Sequence, residues 1–240
     1  QKSLKISSCH VVGISVGTSI ALQMAVLAPE KVLSLFLLSP SAPTEPVESL
    51  EGRQEIYDCW ESAFQNGSSV DECATADAML GVVQLAYNNQ ETIFNKALSS
   101  IASDAALQNW SSKSLSTMHT VTIKFFQTED QYIVSDLARV RCPTLLVNCT
   151  EDIIYPRATA EDLFELLRQA KVDVELSTIE GAPHFGNATH IEEANSLLYS
   201  FVLGNTPAKD LAPAPARVKS PFLDELVAHG FYENDDSDTD

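Results

Sequence analysis

Cations are scarce in this chain. Fifteen Lys and Arg stand against thirty-three Asp and Glu over 240 residues, a formal charge of −18, and a surface so biased repels phosphate backbones and anionic lipid headgroups. Nucleic acid and membrane surfaces are therefore not expected as partners. Long apolar runs are missing too, so no segment is expected to span a bilayer. Cys9, Cys59, Cys73, Cys142 and Cys149 are odd in number and lack CxxC spacing. That argues against a disulfide framework or zinc site and for a reducing compartment, the cytoplasm.

What the chain does have is βα rhythm at its two ends. "CHVVGIS" is a short apolar run closing on glycine, and "SIALQMAVLAPE" follows with helical spacing until Pro29. "KVLSLFLLSP" then reads as a strand buried on both faces, which completes a βαβ unit. From Ser41 to about Arg139 the segments "QEIYDCWESAF", "DAMLGVVQLAY" and "NKALSSIASDAAL" change to helical periodicity, as in a helical insertion. The rhythm returns with the strand "CPTLLVNC", the helix "RATAEDLFELLRQAK", the alternating strand "VDVELSTIE" and the helix "HIEEANSLLYSFVLG". Beyond Gly204 a Pro- and Ala-rich linker leads to the short amphipathic "FLDELVAHGFY" and an acidic tail, "ENDDSDTD", expected to be disordered.

Glycine is also sparse, nine in all, yet two of them flank Ser15 in "GISVG". A Gly-x-Ser-x-Gly pattern arises by chance, so its context decides. A hydroxyl is a poor nucleophile near neutral pH and needs a base to take its proton and a carboxylate to orient that base. On an open parallel sheet such groups meet when each lies just past the C-terminal end of a strand. Ser15 falls between a predicted strand and helix, where flanking glycines permit a tight turn and close backbone passage. Asp152 follows the strand "CPTLLVNC", and His184 follows "VDVELSTIE" in the loop "GAPHFG". The next helix directs its positive end toward Ser15, and the backbone N–H of Val16 is the expected donor to an oxyanion.

These stretches resemble the α/β-hydrolase family, in its branch with a helical cap. "CHVVGISVGTSIALQMAVLAPEKVLSLFLLSP" is similar to the family's nucleophile segment, "CPTLLVNCTEDIIYP" to its acid segment and "IEGAPHFGNATHIEEANSLLYSFV" to its histidine segment, together covering roughly residues 5 to 203. The resemblance implies an α/β fold with a partial parallel sheet, strands 5 to 8 of the family. Residues 1–40 and 140–204 form the core, 41–139 a helical cap over the site, and 205–240 a linker, short helix and tail. It implies a cofactor-independent and metal-free serine hydrolase in which Ser15 attacks a small-molecule ester, lactone or similar carbonyl. His184 moves the proton and Asp152 orients His184.

Two departures stand out. The family usually has glycine where Cys149 stands, and the strands that precede the nucleophile in the family have no counterpart in this sequence. The loop that usually gives the second oxyanion donor belongs to that part, so no residue is assigned the role. The sequence is therefore expected to be a fragment with an apolar sheet edge at "CHVVG", poorly folding when expressed alone.

Plainer readings stand beside these. Ser15 is otherwise a turn serine and Asp152 a helix N-cap, with Glu151 the nearest substitute acid. His190 competes with His184. His10 reads as a packed histidine, and His119 and His229 as facing solvent or the cap. Trp60, Phe64, Met79, Tyr87, Trp110, Phe125 and Phe126 either line an acyl pocket or pack a helical core. Asn-x-Ser/Thr triplets begin at Asn66, Asn109, Asn148 and Asn187 and matter only in a secreted chain. Acyl transfer, or a binding scaffold without turnover, are the alternatives to hydrolysis.

Overall fold

A computed structural model describes residues 6–65, 70–88, 93–128, 132–207 and 223–230. Most of the proline-rich linker, the acidic tail and Asn66 lie outside these residues. The chain divides into two compact units, one of Gln1–Glu51, Leu85–Asn88 and Phe125–Leu211, the other of Gly52–Gln84, Asn89–Lys124 and Ala212–Asp240.

Among the described residues the first unit is built on four parallel strands, β1 (Cys9–Ile14), β2 (Val32–Leu38), β3 (Thr144–Cys149) and β4 (Val174–Ile179), which lie side by side in chain order. Side chains alternate across a strand, so the apolar runs of β2 and β3 supply two cores. Leu35, Leu37 and Leu146 pack on one face with Leu22 and Ala25 of α1 (Gly17–Leu27). Phe36, Leu38, Leu145 and Val147 face the other way. This is why both segments read as continuous hydrophobic stretches rather than as alternating ones. Among the described residues β1 pairs with β2 alone, and Val12 on it is 47% exposed.

The register sets the position of the site. Ile14 lies beside Leu38, Leu38 beside Val147, and Cys149 beside Ile179. The loops that leave the four strands therefore start from one edge of the sheet.

The second unit is helical. α2 (Val47–Ser62) and α3 (Glu72–Tyr87) each begin or end in the first unit, while α4 (Ile93–Asn109) and α5 (Leu115–His119) lie in the second. A π-helical turn, Thr120–Lys124, follows α5. Tyr57, Trp60, Ala78, Met79, Met118 and Ile123 form the core of this unit, and Trp60 donates its indole N–H to the Trp110 carbonyl at 2.7 Å. Trp60 and Met79 thus pack inward, with Phe64 and Trp110 against them. The chain returns through α6 (Phe125–Thr128) and α7 (Val134–Leu137).

Past β3, α8 (Arg157–Gln169) sends Leu163 and Leu167 to the same core as α1. After β4 come the single turn α9 (Gly186–Thr189) and α10 (Ile191–Gly204), with Ala194 in the opposite core and Phe201 against it. The short amphipathic segment near the C-terminus is α11 (Leu223–Ala228) in the second unit. None of the five cysteines is in a disulfide, and no helix among the described residues is long and apolar enough to cross a membrane.

Candidate active site

Ser15 leaves β1 with φ 54, a left-handed value that costs a residue with a side chain about 1–2 kcal/mol. The surroundings hold it there. Its N–H donates to the Leu38 carbonyl at 3.1 Å, and its carbonyl accepts from the Thr18 N–H at 2.8 Å and the Thr18 hydroxyl at 2.6 Å. Space is as tight as the hydrogen bonding. A Cβ on Gly13 would stand 2.6 Å from the Gly17 carbonyl oxygen, so α1 can fold back over β1 only if residue 13 is glycine. Gly17 differs, because a Cβ there would meet nothing within 4 Å. Of the two glycines in the motif, the first is the steric requirement. Val16, next after Ser15, takes up helical geometry (φ −53, ψ −26) at the entrance to α1.

A line of buried hydroxyls stands behind Ser15. Thr18 and Ser41 are 3.0 Å apart, Ser41 and Ser19 2.6 Å apart, and the Ser41 N–H donates to Thr18 Oγ1 at 3.0 Å. Each hydroxyl has one hydrogen. Since Thr18 gives its own to the Ser15 carbonyl, Ser41 must donate to Thr18 and Ser19 to Ser41. All three protons then point toward Ser15.

Asp152 lies in the turn after β3 and is 4% exposed. Its Oδ1 accepts the N–H groups of Ile154 and Tyr155, each at 2.9 Å, in an Asx-type turn. Its Oδ2 stands 2.8 Å from His184 Nδ1. The carboxylate, accepting on both oxygens, receives a hydrogen bond from the N–H of His184 Nδ1, which leaves Nε2 as the acceptor of that ring. Nε2 is 2.8 Å from Ser15 Oγ. The geometry orders the three side chains as Ser15, His184 and Asp152 in one hydrogen-bonded line.

The loop after β4 is fixed at several points. Gly181 takes φ 72 and donates to Thr150 Oγ1 at 2.7 Å, and Glu151 N–H donates to the Ala182 carbonyl at 2.9 Å. Ser39 donates its hydroxyl to the His184 carbonyl at 2.7 Å, and Phe185 N–H reaches the Ala86 carbonyl at 3.1 Å. The rings of Phe185 and Tyr155 flank the imidazole at centroid distances of 4.9 and 5.6 Å, and the Tyr155 hydroxyl donates to Glu45 at 2.8 Å.

The other candidates have partners of their own. Glu151 exposes its side chain, and His190 bonds Thr189 at 3.0 Å. His10 bridges Ser34 at 2.7 Å and Thr206 at 3.0 Å, a half-buried structural role. His119 packs edge-on against Tyr57, and His229 lies 2.9 Å from Ser100, both in the helical unit. Cys149 is wholly buried beside Ser39, Asp152 and Gly186. Burial pushes its thiol pKa up, the Ser39 hydrogen bond opposes this, and the Asp152 charge adds to the rise. No cluster among the described residues could hold a metal ion.

The sequence profile of the alpha/beta hydrolase fold matches residues 1–191. The chain belongs to this family. Solved structures resemble it at low identity. A meta-cleavage product hydrolase from Pseudomonas fluorescens superposes with a TM-score of 0.65 at 18% identity, covering 85% of this chain and 68% of its own. Esterase E22 gives 0.62 at 16% identity, with coverages of 84% and 63%. Homoserine O-acetyltransferase from Bacillus anthracis gives 0.60 at 16% identity, with coverages of 84% and 61%. The chain thus spans about two thirds of the length of these structures. No curated protein matches it in sequence.

The residues that sequence reasoning passed over are Thr18, Ser19, Ser39 and Ser41. A serine that donates to a carbonyl 145 positions away leaves no local mark on the sequence. Ser39 alone had a signal, as the last residue of an apolar run before Pro40 at a strand's C-terminal end.

Proposed function

We propose that the protein is a serine hydrolase that cleaves an ester, lactone or similar small-molecule carbonyl compound through an acyl-enzyme. Ser15 Oγ attacks the carbonyl carbon while His184 Nε2 takes its proton, and Asp152 stabilises the imidazolium that forms. The Val16 N–H and the start of α1 offer positive charge to the developing oxyanion. His184 returns the proton to the leaving group, and water, activated by the same imidazole, then releases the acid. The observation that carries this reading is the hydrogen-bonded line from Ser15 Oγ through His184 to Asp152, with 2.8 Å at each step.

The test is labelling of the purified chain with a fluorophosphonate probe, with the site mapped by mass spectrometry. A single adduct on Ser15 is expected, and Ser15→Ala should abolish it together with hydrolysis of p-nitrophenyl acetate. A folded chain that does not label, or a Ser15→Ala variant that turns over at the parent rate, removes Ser15 from the mechanism.

Acyl transfer is the second reading, supported by the likeness to the acetyltransferase fold. The same acyl-enzyme can be intercepted by an alcohol instead of water. Product analysis with an added alcohol separates the two, because transfer gives a new ester where hydrolysis gives only the acid.

A further inference from the structure

We propose that Ser39 is a positioning residue for His184, holding the backbone of the base at the height from which its imidazole reaches both Ser15 and Asp152. This rests on the hydrolase reading above.

Ser39 follows β2 directly, is wholly buried, and has φ 47. A glycine would take this backbone geometry without strain, yet a serine occupies it. Strained backbone persists where the surroundings over-determine it. Here they do, since the Ser39 N–H is tied to the Val147 carbonyl at 2.9 Å and its hydroxyl to the His184 carbonyl at 2.7 Å. The first bond fixes Ser39 to the central strand β3, and the second carries that rigidity across to the loop that follows β4.

The base has particular need of such an anchor. Both ring nitrogens are committed sideways, Nδ1 to Asp152 and Nε2 to Ser15, each at 2.8 Å. Neither bond sets the depth of the ring in the site, which depends on where the backbone of residue 184 is held. The flanking attachments act on Ala182 and Phe185, and Ser39 acts on residue 184 itself. Proton transfer depends steeply on the separation of donor and acceptor, so a displacement of about 1 Å is felt as a large loss of rate.

Ser39→Gly and Ser39→Ala separate positioning from folding. Both remove the hydroxyl, but glycine relieves the left-handed strain that alanine keeps, so Ser39→Gly should melt about 2–8 °C above Ser39→Ala. The rate constant for fluorophosphonate labelling and the kcat for p-nitrophenyl acetate belong to the folded molecules. Both should fall about tenfold or more in the two variants alike, with KM within about twofold of the parent. Labelling of Ser39→Gly at the parent rate overturns the proposal, as does a rise in KM with kcat unchanged. Two variants that cannot fold overturn it as well, because the hydroxyl would then be holding the fold. A parent chain that labels at Ser15 keeps the hydrolase reading whatever Ser39 does, whereas a folded parent that never labels removes both.

Discussion

Thr18 places its hydroxyl 2.6 Å from the backbone carbonyl of Ser15, three residues earlier in the chain. The bond joins the first turn of α1 to the residue whose φ of 54 aims its side chain at His184. Ser41, arriving from beyond β2, supplies Thr18 with an N–H at 3.0 Å and a hydroxyl at 3.0 Å. The strained turn is therefore held by the sheet through Leu38 and by a buried chain of hydroxyls.

Thr18→Val keeps the shape of the side chain and removes its oxygen. The Ser41 N–H loses an acceptor inside the core, where an unsatisfied donor costs about 1–3 kcal/mol. The unfolding free energy from urea denaturation should fall by that amount with an unchanged m-value, and fluorophosphonate labelling of Ser15 should slow. Ser19→Ala should cost less, since Ser19 only donates at the far end of the chain. A larger loss from Ser19→Ala would reverse the proton order argued for the three hydroxyls.

The two glycines of the motif should respond in opposite ways. At Gly13 an added Cβ meets backbone atoms at 2.6, 2.8 and 2.9 Å, none of which can swing aside. Gly13→Ala should cost about 3 kcal/mol or more, or leave no folded protein. Gly17→Ala enters open space at the start of a helix, where alanine is favoured by about 1 kcal/mol. Thermal melting of the two variants settles the contrast.

The chain made much of its fold readable and little of its wiring. Strands β2 and β3 are central and buried on both faces, so their apolar runs could be recognised from composition alone. Ser15, Asp152 and His184 were readable because a parallel sheet gathers strand ends, which turns chain order into proximity. The helical segments were readable from spacing, but the π-helical turn at Thr120–Lys124 was not, because it sets the buried Met118 and Ile123 five residues apart for one turn only, too short a stretch to form a pattern. Thr18, Ser39 and Ser41 could not be read as partners. Each is a small polar residue near a turn, and what distinguishes it is a contact 23 to 145 positions away. The freedom of Gly17 was equally hidden, since a sequence pattern does not say which of two glycines is crowded.

Asp152→Asn tests the acid against its neighbour. The amide oxygen can still accept from Ile154 and Tyr155, so the fold should survive. Facing His184 Nδ1, however, the amide presents N–H, which favours the tautomer with its proton on Nε2, toward Ser15. The kcat for p-nitrophenyl acetate should fall about 10³–10⁴-fold. Glu151→Gln changes an exposed side chain and should leave kcat within about twofold. The opposite pattern would move the role of the acid to Glu151.

Cys149 and Gly186 should behave as one unit. A Cβ on Gly186 would stand 2.6 Å from Cys149 Sγ and 3.0 Å from Ala182 Cβ, directly beside the loop that carries His184. The buried thiol is therefore accommodated because residue 186 has no side chain. Gly186→Ala should cost about 1–3 kcal/mol through overpacking, and Cys149→Ala should cost a similar amount through the cavity it leaves. In the double variant the new methyl group enters the space left by the sulfur, so the two losses should not add. A denaturation cycle over the four proteins should return a favourable coupling of about 1 kcal/mol or more. Additive losses would mean that Gly186 is needed for its backbone, or for clearance from Ala182, rather than for the thiol. The fluorophosphonate rate follows the same cycle, because the crowded single variant pushes on the loop of His184 and the double variant removes that pressure.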